Sequence, residues 1–577
     1  MKNFGDEFVS EADRLAARLE ELERRVAALE RSSVAQAPAP VASTAPVIPQ
    51  DHPLAQLSRS GNVMPVIGKV FLGMAGAYGL RALAEAGSLP MAAVAGVAVL
   101  YAVTWLVWAA RTPAEQVFAS TAYATTAAAI LLPMLGELTL RFKVMPATVT
   151  ATLLAGFVAA AFALAWKRRA SSVVWVPAAL GAVAGGVLLV GTRDPFPFAA
   201  ALLLMAIMTE AAACSDRWMG LRPLVAVPVD VVMVAVFVIY TSVDGVPHEY
   251  QLLATGKLLG LFAGLFVIYA ASVLFRTVAL RRKISVFETG QATAAFVLAA
   301  LAALRTTHDA AAIGVGSFCL LAAAAFYWLS AAKFGVADLE RNYHVFSSWA
   351  IALALTGSTL CFPASANTVW LGVAAIAATW AGVRARRFSL AFHGALYLAA
   401  MALVSGLMQY LVALLIGAPP PPGGWPVWAA CLFTVVGYTL AWNNLKAAEP
   451  QQPQRILHLS FAALAACSTL ALAMTAGLMA VSLSNSGTNA ARVAAVRTFV
   501  ICLLALLLGA SGARWKRTEL IWLSYTSLAL CTAKLLFEDL RAGSAGTIAF
   551  SLFCYGMVWV LVPRFARASK ASAATQP

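Results

Sequence analysis

The segment Glu519–Val562, ELIWLSYTSLALCTAKLLFEDLRAGSAGTIAFSLFCYGMVWVLV, decides the fold of the chain. Two apolar runs flank a short charged stretch, AKLLFEDLRAG, which begins at Ala533 and ends at Gly543. At about 1.5 Å per residue, each run is long enough to cross a hydrocarbon core of about 30 Å. Because lipid offers the backbone no hydrogen-bonding partner, such runs must be helices. The segment therefore predicts a membrane-spanning hairpin with a polar tip.

The same pattern of apolar runs and short polar breaks extends through most of the chain. The 577 residues are 61% hydrophobic and only 12% charged, whereas soluble domains carry about 25% charged residues. Between Val63 and Pro563, runs of roughly 18–25 apolar residues follow one another. We therefore predict an all-α, polytopic helical membrane domain over residues 63–563, with about 18 transmembrane helices.

Lysine and arginine are concentrated after every second predicted span. Because these residues accumulate on the cytoplasmic side of a membrane, their distribution predicts a membrane protein with both termini in the cytoplasm. Residues 564–577 would then form a basic cytoplasmic tail. The net charge of +15 is assigned to these orientation signals, and no nucleic-acid partner is expected.

The first part of the chain differs in composition from the rest. Residues 1–31 are rich in Glu and Arg, and apolar residues alternate at spacings of four and three, which is typical of a short coiled coil. The alternating positions are Phe8, Ala12, Leu15, Leu19, Leu22, Val26 and Leu29. We predict a cytoplasmic helix that associates with a second copy or a partner protein through residues 8–29; a solvated amphipathic helix is the alternative. Residues 32–62, rich in Pro and Ala, predict a disordered linker.

Ionisable residues inside predicted spans are candidate functional residues, because burying them in lipid is costly. Asp230, in VAVPVDVVMVAVF, is the deepest carboxylate, and it could relay a proton or cation or could bond to another helix. Glu210 is expected to meet Arg217 or Arg222. Arg276 lies near the end of its span and is expected to extend towards the headgroups.

Two span ends on the predicted outer face carry further charges. Arg81 and Glu85 are four residues apart and lie on one helix face. Lys534 is expected to pair with Glu538, four positions later. Asp539, Arg541 and Gly543 are expected to form a turn. Either each end is a salt-bridged tip, or the two ends share a polar pocket. With Asp230, the candidate pocket residues are Arg81, Glu85, Lys534, Glu538, Asp539 and Arg541.

Glycine spacing predicts close helix contacts. Gly256, Gly260 and Gly264 are four residues apart on one predicted span, and Gly181 and Gly185 are four apart on another. Such stripes let helix backbones approach each other. The first predicted span, 64–84, also contains several glycines and is expected to be packed inside the bundle.

The first and last membrane units resemble those of a known family. The first unit is IGKVFLGMAGAYGLRALAEAGSLP, and the last contains a Lys-Leu-Phe…Asp-Leu pattern, matched here by Lys534, Leu535, Phe537, Asp539 and Leu540. The chain resembles the bacterial family called domain of unknown function 2339, whose members combine a short coiled coil, a Pro/Ala linker and many spans. Glu538 departs from that pattern, in which an apolar residue is expected. The resemblance implies this architecture in a bacterial inner membrane, but no activity.

The sequence contains no recognisable catalytic motif and no His, Cys or carboxylate cluster at metal-ligand spacing. Its eight cysteines form no CxxC pair. We therefore expect no enzyme activity, no cofactor and no metal. Two functions remain open: a structural or accessory envelope protein that uses the coiled-coil segment, or a secondary transporter or flippase-like protein that uses the charged span ends and Asp230.

Overall fold

The computed structural model describes most of the predicted membrane domain. The described residues are 63–86, 90–113, 115–168, 172–217, 219–335, 339–385, 387–417, 420–444, 452–483 and 490–574. Lys69–Pro577 forms one compact unit, and of the other unit, Met1–Gly68, only residues 63–68 are described. The predicted coiled-coil segment 1–31 and nearly all of the linker 32–62 lie outside the described residues.

Helices make up most of the described residues, and no strand occurs among them. In chain order they are α1 (Val63–Glu85), α2 (Met91–Arg111), α3 (Val117–Gly136), α4 (Ala147–Arg168), α5 (Ser172–Thr192), α6 (Pro195–Cys214), α7 (Leu221–Tyr240), α8 (Thr255–Leu274), α9 (Val286–Thr306), α10 (Ala312–Ala332), α11 (Glu340–Cys361), α12 (Ala364–Arg384), α13 (Phe388–Val404), α14 (Leu407–Leu415), α15 (Trp425–Asn444), α16 (Gln452–Leu483), α17 (Ala490–Arg514), α18 (Thr518–Lys534), α19 (Leu540–Ala542) and α20 (Ala545–Ala574). In this part of the chain, 17 helices are long and apolar enough to cross a membrane, or 18 if the bent pair α13–α14 is one span. The predicted all-α, multi-pass fold is confirmed.

The pair α13–α14 occupies a single apolar stretch, residues 389–416, whose length predicts one continuous span. The two helices are bent by 61° at a short break. Gly406 lies in this break with a left-handed φ of +77°. A right-handed helix cannot continue through that conformation, which glycine adopts without steric cost. One predicted span is therefore a broken helix.

Three spans end in a π-helical segment. These are π1 (Glu137–Arg141), which continues α3; π2 (Phe275–Ala279), which continues α8; and π3 (Leu535–Asp539), which continues α18. In a π-helix the hydrogen bonds run from residue i to i+5, so residues five apart lie on the same face. Each segment carries ionisable side chains, and each contributes to a charge cluster described below.

The glycine pair on α5 packs as predicted. A Cβ atom added to Gly181 would lie 2.8 Å from the side chain of Val158, and one added to Gly185 would lie 3.2 Å from Leu202. Neighbouring helices therefore approach α5 more closely than a larger side chain would allow.

The glycine stripe on α8 does not pack as predicted. Added Cβ atoms at Gly256 and Gly260 would meet nothing within 4 Å, and one at Gly264 would meet only Leu203, at 3.5 Å. The buried residues of α8, such as Phe262, lie on the opposite face of the helix. The prediction of a close contact along this stripe is wrong, because the larger side chains face the core.

The first helix is less buried than predicted. Phe71 and Leu72 are 70% and 72% exposed, whereas Gly73 faces the indole of Trp105, which a Cβ atom would approach to 2.5 Å. Only one side of α1 therefore packs against α2, and the expectation that this span is packed inside the bundle is wrong.

The tight contact between α12 and α13 gives a first testable prediction. A Cβ atom at Gly394 would lie 2.1 Å from Oγ1 of Thr379 and 3.0 Å from the carbonyl oxygen of Ala375. Thr379 cannot move away easily, because its hydroxyl donates a hydrogen bond to that same carbonyl at 2.7 Å. We expect Gly394→Ala to lower the free energy of unfolding by about 1–3 kcal/mol, measured by denaturant titration in detergent.

The matched control is Gly256→Ala, since this glycine is also helical but has open space around its Cα. There the substitution should be neutral or should stabilise the helix by up to about 1 kcal/mol. Equal losses at Gly394 and Gly256 would contradict the packing argument.

Candidate functional site

Arg222 lies at the centre of a buried charge network at one end of α6, α7, α8 and α9. Its guanidinium group donates two hydrogen bonds to the carboxylate of Glu210, from Nε at 3.0 Å and from Nη2 at 2.6 Å. Nη1 donates a third, to Oε1 of Glu288, at 2.7 Å. Paired bonds of this kind between arginine and carboxylate are strong and directional. The predicted contact between Glu210 and Arg222 is confirmed.

Glu288 connects a second buried arginine to this network. Arg276, on π2, donates from Nε to Oε1 of Glu288 at 2.8 Å and from Nη1 to the carbonyl oxygen of Ala213. Ser285 and Glu288 form a capping box at the start of α9, which fixes the orientation of the carboxylate. Arg276 is only 6% exposed, so the expectation that it extends towards the headgroups is wrong.

The Arg222 network is defined as Glu210, Arg222, Ser272, Arg276 and Glu288. Ser272 completes it by donating a hydrogen bond to Oε2 of Glu210 at 2.6 Å. Two arginines and two glutamates balance each other in charge, and all five side chains are buried. Desolvating four ions is costly, and this cost is offset only by the close, multiple hydrogen bonds.

Asp230 lies further along α7, in the middle of the helix. Its Oδ1 accepts a hydrogen bond from Nε2 of Gln291 on α9, at 2.8 Å. Asp230 therefore makes the bond to another helix that the sequence suggested, but to an amide. Among the described residues, no arginine, lysine or histidine forms an ion pair with it.

A second cluster surrounds Lys534 at the end of α18. The ammonium group donates hydrogen bonds to the carbonyl oxygen of Ala494 at 2.6 Å, to Oγ1 of Thr498 at 2.8 Å, and to Oδ1 of Asp539. The hydroxyl group of Thr498 in turn donates to Oδ2 of Asp539 at 2.5 Å. We define the Lys534 cluster as Arg497, Thr498, Lys534, Glu538 and Asp539.

The π3 segment explains why Lys534 and Asp539 meet. The two are five residues apart, so an α-helix would place them on different faces, whereas a π turn aligns them. Lys534 also lies 3.4 Å from Oε2 of Glu538, the residue four positions later. Asp539 is 2% exposed and helical, so its expected place in a surface turn is wrong. Arg541 is exposed in α19.

Arg497, on α17, was not recognised as a candidate from the sequence. It is completely buried and donates to Oε1 of Glu538 at 2.6 Å and to the carbonyl oxygen of Gly417 at 2.8 Å. Its Nε has no hydrogen-bond partner in the described part of the chain. The available signal was an arginine inside an otherwise apolar run.

A third cluster, at the end of α1, is exposed. Arg81 contacts Oε1 of Glu137 at 2.9 Å and Oε1 of Glu85 at 3.3 Å, and Arg141 contacts the same oxygen of Glu85 at 3.0 Å. Hydrogen bonds from Arg81 and Arg141 lower the pKa of Glu85 below its ordinary value. Exposed ion pairs of this kind contribute little to stability.

The structure does not bring the two predicted halves of the outer pocket together. Arg81 and Glu85 bind partners on π1, whereas Lys534 and Asp539 bind partners on α17 and π3. Within the described ranges, no hydrogen bond or ion pair joins one group to the other. Each half is instead a separate cluster at its own span end.

The remaining chemistry of the described residues is sparse. No group of three His, Cys, Asp or Glu side chains within them is placed to hold a metal ion. The comparisons with known proteins add no assignment: no family model, curated protein or solved structure matches the chain. Function must therefore be argued from the charge clusters and from Asp230.

Proposed function

We propose that this multi-pass membrane protein is a secondary transporter in which Asp230 binds and releases the coupling proton. The observation that carries the proposal is that Asp230, in the middle of a span, has an uncharged partner. Glu210, Glu288 and Asp539 are each held by arginine or lysine. A carboxylate bound only by an amide can gain or lose a proton without breaking an ion pair.

The surroundings of Asp230 support this role. A cavity of about 720 Å³ lies at the ends of α7, α8 and α9 that are opposite to the Arg222 network. Its lining includes Tyr240, Thr241, Thr255, Arg305, His308 and Asp309. Met233 and Val236, which lie along α7 between Asp230 and the cavity-lining Tyr240, are buried, as is Phe262 on α8. This arrangement of a polar cavity, an apolar layer and a mid-span carboxylate suits alternating access to a central site.

Asp230→Asn tests the proposal by removing the titrating group while keeping the bond to Gln291. Proteoliposomes adsorbed on a solid support are exposed to a pH jump, and the charge displaced by proton binding is recorded. We expect a transient current from the wild-type protein that Asp230→Asn abolishes. Glu249→Gln, which changes an exposed carboxylate, should leave the current unchanged.

Equal currents from the wild-type protein and Asp230→Asn would contradict the proposal. So would the absence of current from a wild-type protein that elutes from gel filtration as a folded species. A solute that increases the current would then identify the transported class, and the same variant should abolish its flux.

The accessory function remains the second proposal, and it depends on residues 8–29, which the structure does not describe. Deleting residues 1–31 should remove a co-purifying partner or lower the oligomer size if that segment associates.

Membership of the family called domain of unknown function 2339 and a bacterial inner-membrane location are also proposals. Reporter fusions at the carboxyl terminus test its predicted cytoplasmic position.

A further inference from the structure

A slot lined by alanine lies among α10, α11, α12 and α13, away from the Arg222 network and the Lys534 cluster. It encloses about 670 Å³, a volume within the range of small-molecule sites, about 300–1,000 Å³. Ala323, Ala354, Ala374 and Ala378 form much of its wall. We call this feature the alanine slot. Its volume exists because alanine occupies positions where larger side chains would fill the gap between helices.

The alanine slot runs along the helix axes. On α10 its lining extends from Leu320 to Ala331, and along α12 from Trp370 to Ala385, just past the helix end. At 1.5 Å per residue these ranges correspond to about 16 Å and about 22 Å, roughly half to three-quarters of a hydrocarbon core of about 30 Å. The slot therefore has the length of one acyl chain in one leaflet.

Polar groups lie near one end of the slot. The hydroxyl group of Tyr327 lies 3.1 Å from that of Tyr397 and 3.1 Å from Nδ1 of His393. Tyr327 and Tyr397 both line the slot. Because these groups bond to one another, their side chains are held in place about one and a half to two and a half turns from the helix ends.

Arg387 forms the mouth of the alanine slot at that end. Its guanidinium group lies over the ring of Tyr343, 4.4 Å from the centroid, and Nη2 makes one long hydrogen bond, at 3.4 Å, to the carbonyl oxygen of Gly335. No carboxylate of the described residues forms an ion pair with it. Lys333 lies at the same end of α10. The mouth is therefore positively charged and has donors available for an anion.

We propose that the alanine slot binds one acyl chain of an anionic phospholipid, with Arg387 bound to the phosphate group. The apolar slot matches the chain in length, and arginine matches phosphate in charge and in its paired hydrogen-bond geometry. The Arg387 end is the one predicted to be cytoplasmic, and that leaflet is rich in anionic lipid. The assignment is independent of Asp230 and of transport.

Native mass spectrometry of the full chain in detergent tests this assignment. Phosphatidylglycerol or phosphatidylcholine with identical acyl chains is added, and in a third sample inorganic phosphate competes. We expect the wild-type protein to retain one phosphatidylglycerol in preference to phosphatidylcholine. Arg387→Gln should weaken phosphatidylglycerol binding about tenfold and phosphatidylcholine binding less, because the choline ammonium group offsets the charge of the phosphate that both lipids carry. Ala374→Trp should weaken the binding of both lipids, because the indole fills the slot.

Matched controls separate this site from the general lipid annulus. Arg384→Gln removes an arginine at the same end that lies outside the slot, over Trp380. Ala263→Trp adds an indole to the exposed face of α8. Neither should change binding. If Ala374→Trp fails to fold, Ala378→Leu replaces it as a smaller obstruction.

Three results would overturn the assignment. Arg384→Gln could weaken phosphatidylglycerol as much as Arg387→Gln does, or both slot-filling variants could bind lipid as the wild-type protein does. Inorganic phosphate could also displace the lipid completely, which would make the mouth a site for free anions. The pH-jump experiment on Asp230 measures none of these three quantities. The transport proposal and the lipid proposal can therefore fail separately.

Discussion

Arg222→Met should lower the free energy of unfolding by about 3–5 kcal/mol, the loss expected when one partner of a buried ion pair is removed. Arg222 is 3% exposed and binds two carboxylates. Without it, Glu210 keeps only the hydroxyl group of Ser272, and Glu288 keeps Arg276 and its capping bonds. The loss should appear as an earlier unfolding transition in a denaturant titration monitored by tryptophan fluorescence.

Arg282→Met is the matched control, because Arg282 binds Asp216 at the surface, where both side chains are about half exposed. Its loss should stay within about 1 kcal/mol. Adding Glu210→Gln to Arg222→Met should recover part of the stability, since an uncompensated buried charge is then removed. An equal effect of Arg222→Met and Arg282→Met would mean that the network is not buried as described.

Arg497→Met is expected to have a smaller but still large effect, about 1.5–3 kcal/mol, because its partner Glu538 is 25% exposed. Arg497 is completely buried, and it joins Glu538 on π3 to the carbonyl oxygen of Gly417, which follows α14. Its loss leaves Glu538 with Lys534 at 3.4 Å. Besides the earlier unfolding transition, we expect faster amide hydrogen exchange in α14, because one bond that holds the end of the broken helix is lost.

Two variants sharpen this second prediction. Arg497→Lys keeps the charge but loses the planar fork that reaches two acceptors, so its effect should lie between those of the wild-type protein and Arg497→Met. Arg541→Met, at an exposed position near the same span end, should change stability by no more than about 0.5 kcal/mol. Unchanged exchange in α14 would argue against the link through Gly417.

The parts of the structure that the sequence predicted are those set by local composition. Apolar run length gave the helical, multi-pass fold and a span count that agrees with the 17 or 18 candidates in the described residues. The contact between Glu210 and Arg222 could be predicted because both residues flank one short loop. The pairing of Arg81 with Glu85 followed from a spacing of four residues on one helix.

The remaining contacts join residues that are far apart in the chain. Arg222 meets Glu288 across 66 positions and Arg497 meets Glu538 across 41. Hydropathy and spacing do not specify which helices become neighbours, so these partners could not be named. The break at Gly406 was also missed, because glycine is common in transmembrane helices and does not by itself mark an interruption.

The π turn at the end of α18 holds one residue more than an α-helix needs to align Lys534 with Asp539. Removing only Leu536, which is 54% exposed, would restore α-helical geometry and leave the two residues four apart, still on one face. The Asp539 carboxylate would therefore stay beside the Lys534 ammonium group, whereas Glu538 would move to a spacing of three. Chains built on this plan can lose one residue here and keep the Lys534–Asp539 pair.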